Sequence, residues 1–170
     1  VSLGFKLIRA QIPAHIMGKE IGEGLRALIK KMDTTNIDLL AKRITVWQER
    51  ETIKALELDE PAKAEAIGDK AEAIISIIEG MPEDMRTLEK VYAVIDYLFA
   101  GNANTLTLAT IHKSKGLEAK RVFWLNRDQC PAKYAKRDWQ KAQEVNLCYV
   151  AATRAMEELY FLDEMRVIRD

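Results

Sequence analysis

Two short apolar runs rich in β-branched residues, TLTLATI (residues 105–111) and RVFWLN (residues 121–126), flank a polar stretch. Runs of this length and composition read as strands, with KGLEAK between them as a short helical turn. A helical pattern follows in AQEVNLCYVAATRAMEE, with Val145, Cys148, Tyr149 and Ala152 at helical spacing, then a third apolar run, LYFLD. Near-continuous apolar strands alternating with a helix predict an α/β fold whose sheet is buried on both faces.

Upstream of Gly101 the period is that of helices. VSLGFKLIRAQ reads as a short helix, Ile12, Ala14 and Ile16 as a strand ending at Gly18, and KEIGEGLRALIKKM as a second helix. Three more helical patterns follow. Leu40, Ile44 and Trp47 share one face behind a cap at Thr35 or Asn36. Ile67, Ala71, Ile74, Ile75 and Ile78 form a stripe that Gly80 and Pro82 bring to an end. Leu88, Val91, Tyr92, Ile95, Leu98 and Phe99 form another, closed by Gly101. Residues 34–101 are therefore expected to be a helical insertion, with 1–33 and 102–170 building the α/β domain. Trp47 and Trp124 are expected in the core.

With 170 residues and 48% hydrophobic content the chain can bury one core, or one core with an insertion. No apolar run approaches the roughly 18 residues of a membrane span. No signal-peptide pattern opens the chain, and its first residue is Val, which suggests an excised part of a longer protein. Cys130 and Cys148 are isolated in sequence, without a CxxC pair or enough companions for a zinc site. Two free thiols in a reducing, cytoplasmic compartment is the simple reading.

The net charge is zero, which argues against a uniformly basic nucleic-acid coat, but the charge is unevenly spread. Residues 49–89 hold twelve acids and five bases. Residues 112–121 carry Lys113, Lys115, Lys120 and Arg121 against Glu118, and residues 127–141 carry Arg127, Lys133, Lys136, Arg137 and Lys141 against Asp128 and Asp138. Between the first two strands, Thr110 to Lys115 supplies hydroxyls, an imidazole and ammonium groups. In α/β sheets ligands bind beyond the carboxyl ends of strands, and this loop falls there. Its composition suits an anion, with phosphate the obvious choice. A surface loop with no ligand would use the same residues. Arg154, near the end of an otherwise apolar helix, offers a planar, always-charged fork for phosphate; an Arg at that end also favours the helix dipole without any ligand.

LATIHKSKGLEAKRVFWL followed by QEVNLCYVAATRAMEELYFL resembles motifs V and VI of the UvrD/Rep-type superfamily 1 DNA helicases, in order and at a plausible spacing. RAQIPAHIMG resembles, more weakly, the segment after the family's motif IV. The likeness is direct over about residues 105–163 and is not visible in the helical middle. Two departures stand out. Ala119 stands where the family has an aromatic, and Val145 where it often has Arg.

The resemblance implies a RecA-like second motor domain, with residues 34–101 as a reduced form of the family's inserted 2B subdomain. It implies ATP and Mg2+, bound mainly by a first RecA-like domain, and single-stranded DNA or a duplex junction as partner. Carried over residue by residue, Arg154 is the arginine finger on the γ-phosphate, Glu118 accepts from the ribose and Gly116 lets the nucleotide approach. Thr110, His112, Ser114 and Lys115 face DNA. The segment with Lys133, Tyr134, Lys136, Arg137 and Trp139 extends that path, unless it is a solvated loop with Trp139 against the sheet.

A phosphate loop needs G-x-x-x-x-G-K-[ST]. The one Gly-Lys pair, Gly18–Lys19, is followed by Glu20, and Pro13 stands where the first Gly belongs. No apolar strand is read as a Walker B. The chain alone is thus not expected to hydrolyse ATP. The expectation is the C-terminal half of a helicase, moving 3′ to 5′ as most relatives do. The competing reading is a non-catalytic helicase-like module that holds DNA or a protein.

Overall fold

The computed structural model describes residues 1–101, 105–132, 135 and 137–162. Lys133, Tyr134 and Lys136 lie outside the described residues. The chain divides into two compact units, Val1–Leu108 and Ala109–Asp170.

The first unit is mainly helical. Helix α1 (Ser2–Arg9) leads to strand β1 (Ala14–Ile16) and helix α2 (Lys19–Lys31). Helices α3 (Ile37–Glu57), α4 (Pro61–Gly80) and α5 (Leu88–Phe99) follow, and strand β2 (Leu106–Leu108) closes the unit. The starts of four of these helices have a local cause. The Asn36 side chain accepts from the Leu39 N–H at 2.8 Å and starts α3. Pro61 opens α4, where its missing N–H costs nothing. Thr87 accepts from the Lys90 N–H and starts α5. Gly18, at φ +122°, turns the chain from β1 into α2.

The apolar stripes meet in one core. Leu25 and Ile29 of α2, Leu40 and Ile44 of α3, Ile74 and Ile77 of α4, and Val91, Ile95 and Leu98 of α5 are all fully buried in it. Residues on both sides of position 33 thus share one packed interior. Trp47 is half-buried rather than enclosed, packed between this core and a smaller cluster of Ala55, Ala64 and Ile67. Gly80 is the last residue of α4, as its place in the pattern suggested, but a second reason is steric. A Cβ there would stand 2.0 Å from Cε1 of the buried Phe5. Strand β1 pairs in parallel with β2, Ala14 opposite Leu106 and Ile16 opposite Leu108.

The second unit holds strand β3 (Ala119–Leu125), a 3-10 turn at Arg127–Gln129, helix α6 (Asp138–Ala152) and strand β4 (Ala155–Leu162). Strands β3 and β4 run parallel, Val122 opposite Leu159 and Trp124 opposite Phe161, with a bulge between Ala119 and Arg121. A parallel pair needs a long crossover connection, and α6 lies in it. Trp124 is buried, as expected.

Four expectations are corrected. The strand expected at 105–111 is only three residues long. Residues 111–116 form hydrogen-bonded turns, and Ala119 already belongs to a strand, so KGLEAK is not a helical turn. Helix α6 starts earlier and stops at Ala152, and strand β4 begins at Ala155 rather than Leu159. At the helix end the Thr153 hydroxyl shares its proton between the carbonyls of Tyr149 and Val150, and from Ala155 the chain pairs with β3. Finally, the described strands form two separate two-stranded sheets, and the second is not buried on both faces. Phe123, Tyr160, Phe161 and Leu162 are exposed in it.

Candidate functional site

The polar loop is built by its own hydrogen bonds. The Ser114 N–H donates to the Thr110 carbonyl at 3.0 Å, and the Lys113 N–H to the Thr110 hydroxyl at 3.3 Å. The Ser114 hydroxyl donates to the Ile111 carbonyl at 2.8 Å, and the Leu117 N–H to the Ser114 carbonyl. Gly116 takes φ +86°, a conformation an L side chain resists, and nothing crowds the place where its Cβ would be. Its role in the chain is therefore the turn, with open space above it.

This arrangement presents Thr110, His112, Lys115 and Glu118 to solvent, with Ser114 half-buried. No helix starts here, so no helix N-terminus adds to the loop's own donors. Hydroxyl chemistry survives in part. Ser114 has its proton engaged but can still accept; Thr110 accepts from Lys113 but can still donate. Some of the local positive charge is neutralised. Lys120 stands 3.5 Å from Glu157, and Arg121 3.9 Å from Glu158, across the β3–β4 pair.

Arg154 joins this loop to the end of α6. It lies in the turn after the helix, not within it. Its Nη1 donates to the Leu117 carbonyl at 2.8 Å, Nε to the Val150 carbonyl at 2.9 Å and Nη2 to the Thr153 hydroxyl at 3.0 Å. Its own carbonyl accepts from the Ala119 N–H at 3.0 Å. A guanidinium has five N–H donors. Three are used here, which leaves one N–H on each Nη for an added anion. The loop follows β2 in the chain, as the carboxyl-end rule required. Within its own unit, however, the loop and the Arg154 turn meet at the amino ends of β3 and β4.

Residues 41–163, well over half of the chain, match the model of the UvrD-like helicase C-terminal domain. The chain belongs to that family. No curated protein matches it. Both segments that carried the likeness to motifs V and VI lie inside the matched range, and so do α4 and α5 of the helical middle, where no likeness was visible in the sequence.

The site residues named from sequence thus fall into two groups. Gly116, Glu118 and Arg154 lie around one hydrogen-bonded junction, with Glu118 next to the carbonyl that Arg154 holds. Thr110, His112, Ser114 and Lys115 lie along the turn leading to it. The anchoring carbonyls of Leu117 and Val150 escaped sequence reading, since a main-chain acceptor leaves no trace in residue type. Of the further basic segment, Arg137 and Trp139 are described; Trp139 is 60% exposed rather than packed on the sheet. These groups have the donors and acceptors to hold part of a nucleotide. Among the described residues no cluster of three His, Cys, Asp or Glu can hold a metal ion, and no helix is long and apolar enough to cross a membrane.

Proposed function

We propose that this domain is the second motor half of an ATP-dependent DNA helicase, in which residues 1–33 and 102–170 act as the RecA-like domain and 34–101 as its helical insertion. ATP and Mg2+ sit mainly on a first RecA-like domain. Arg154 reaches the γ-phosphate across the cleft, Glu118 accepts from the ribose and Gly116 leaves the nucleotide room. Thr110, His112, Ser114 and Lys115 touch single-stranded DNA, and movement is 3′ to 5′ in the cytoplasm. The chain alone does not turn over ATP.

The observation that supports this most is the bond from Arg154 Nη1 to the Leu117 carbonyl. It couples the proposed finger to the loop that also carries the DNA-facing residues. A shift of Arg154 toward a phosphate stretches that bond, and this links a bound nucleotide to the loop. An arginine positioned across a cleft stabilises charge on the transferring phosphoryl group only when the domains close.

One observation favours a second reading. With three donors satisfied by its own chain, Arg154 is also a structural latch, as a non-catalytic DNA- or protein-binding module would require. The test is the full-length protein carrying Arg154→Ala and, separately, Arg154→Lys, with DNA-stimulated ATPase, nucleotide binding and thermal melting measured together. A finger predicts loss of turnover by about 10³-fold or more in both variants, with nucleotide binding retained and Arg154→Lys still folded. Turnover near that of the parent in a folded variant sinks the motor assignment.

A further inference from the structure

We propose that Cys130 and Cys148 are the two halves of a reversible disulfide, formed by exchange with a small-molecule disulfide such as oxidised glutathione. The sequence keeps the two cysteines 18 positions apart, without a redox motif. The structure brings their sulfurs to 2.7 Å, with both present as free thiols. That is closer than ordinary sulfur contact and within about 0.7 Å of a bonded pair.

The surroundings hold the pair together. Cys148 lies in α6, and Glu144 precedes it by one turn on the same face. The Glu144 carboxylate accepts from the Ala132 N–H at 3.0 Å, and the Glu144 carbonyl stands 4.0 Å from the Cys130 sulfur. The segment that carries Cys130 is therefore already fastened to the helix beside Cys148. Both cysteines are half-buried, so a small disulfide can reach them.

The chemistry is sequential. Burial, with the Cys148 sulfur beside it, pushes the Cys130 thiol up. One of the two thiols loses its proton and attacks one sulfur of the small disulfide, releasing one small thiolate and leaving a mixed disulfide. The neighbouring thiol then gives up its proton and attacks the protein sulfur of that mixed disulfide, expelling the second small thiolate. Two protein thiols and one disulfide become one protein disulfide and two small thiols, which carry away both protons. The protein loses two electrons and the small disulfide gains them. In a reducing compartment such bonds are transient and report on redox state. Here the bond fastens the segment before α6 to the helix that ends beside Arg154. It depends on no assumption about helicase activity.

The whole chain is equilibrated in glutathione buffers from fully reduced to fully oxidised, quenched with acid and an alkylating agent, and digested without reductant. The expected product is a monomer in which peptides containing Cys130 and Cys148 are linked, reversed by dithiothreitol. Closure in concentrated urea is expected to be slower by on the order of tenfold, because the folded pair has the higher effective concentration. Cys130→Ser and Cys148→Ser are each expected to leave a stable glutathione adduct on the remaining cysteine. Two independent adducts in the parent, links between chains, thiols that stay open to alkylation, or closure as fast in urea would each overturn the proposal.

Discussion

Gly80→Ala probes how closely α1 and α4 approach. The new Cβ would stand 2.0 Å from Phe5 Cε1, 2.9 Å from Cζ and 3.1 Å from Cδ1. Carbon atoms in good contact sit about 3.5–4.0 Å apart, so the ring or a helix must give by roughly 1.5 Å. Phe5 is only 5% exposed and packs in the main core, so the ring has little room to turn. Overpacking of this kind costs about 1–3 kcal/mol. Replacing Gly by Ala inside a helix returns up to about 1 kcal/mol, and less at the final helical residue. The net expectation is a loss of ~1–2 kcal/mol. Urea titration followed by helical circular dichroism, which comes mostly from the first unit, measures it as a lower midpoint at unchanged slope. The control is Phe5→Leu, which shortens the side chain. In that background the Gly80→Ala change is expected to cost nothing or to stabilise slightly, giving a coupling of about 1 kcal/mol or more. If Gly80→Ala alone were as stable as the parent, the close approach would not explain the glycine.

Two further outcomes follow from the second unit. In the full-length protein, Thr110→Ala with His112→Ala is expected to weaken single-stranded DNA binding at an unchanged salt dependence, since neither removes a fixed cation, and unchanged affinity would remove both from the DNA path. The raised Cys130 thiol gives a signed pH effect. The folded state keeps the proton up to about 12, whereas an unfolded thiol loses it near the ordinary value of 9.0. Its stabilising contribution is therefore complete below about pH 9 and is lost as pH rises toward 12. Under reducing conditions, urea midpoints of the parent should fall more steeply over that window than those of Cys130→Ser; parallel curves would contradict the shift.

The helical part was largely legible in the sequence because its signals are local. Stripes at Ile67–Ile78 and Leu88–Phe99 put the right residues inward, and the Asn36 cap sits where the side chain type said it would. The junction at Arg154 was legible only by family pattern, as two separate segments. What misled was propensity. VAATRAMEE is rich in Ala, Met and Glu, all good helix formers, yet strand pairing with β3 takes over from Ala155. Tertiary pairing of a two-stranded ladder is not encoded in the period of either strand, so the division into two sheets was invisible. The thiol pair was missed for the same reason: 18 residues of separation carry no spacing signal, and only the return of α6 past residue 130 creates the approach.

The β1–β2 ladder spans only three residue pairs, and its strands are separated by the whole helical excursion from Met17 to Thr105. Closing a loop of that length costs about 4 kcal/mol in chain entropy. Bonds such as Met17 N–H to Leu108 and Leu106 N–H to Pro13, at 2.8 Å each, contribute only about 1 kcal/mol apiece. The ladder therefore cannot outlast the helices that bring its ends together. In hydrogen–deuterium exchange, the amides of Met17 and Leu106 become gauges of the remote interior, opening when the helices part and not before.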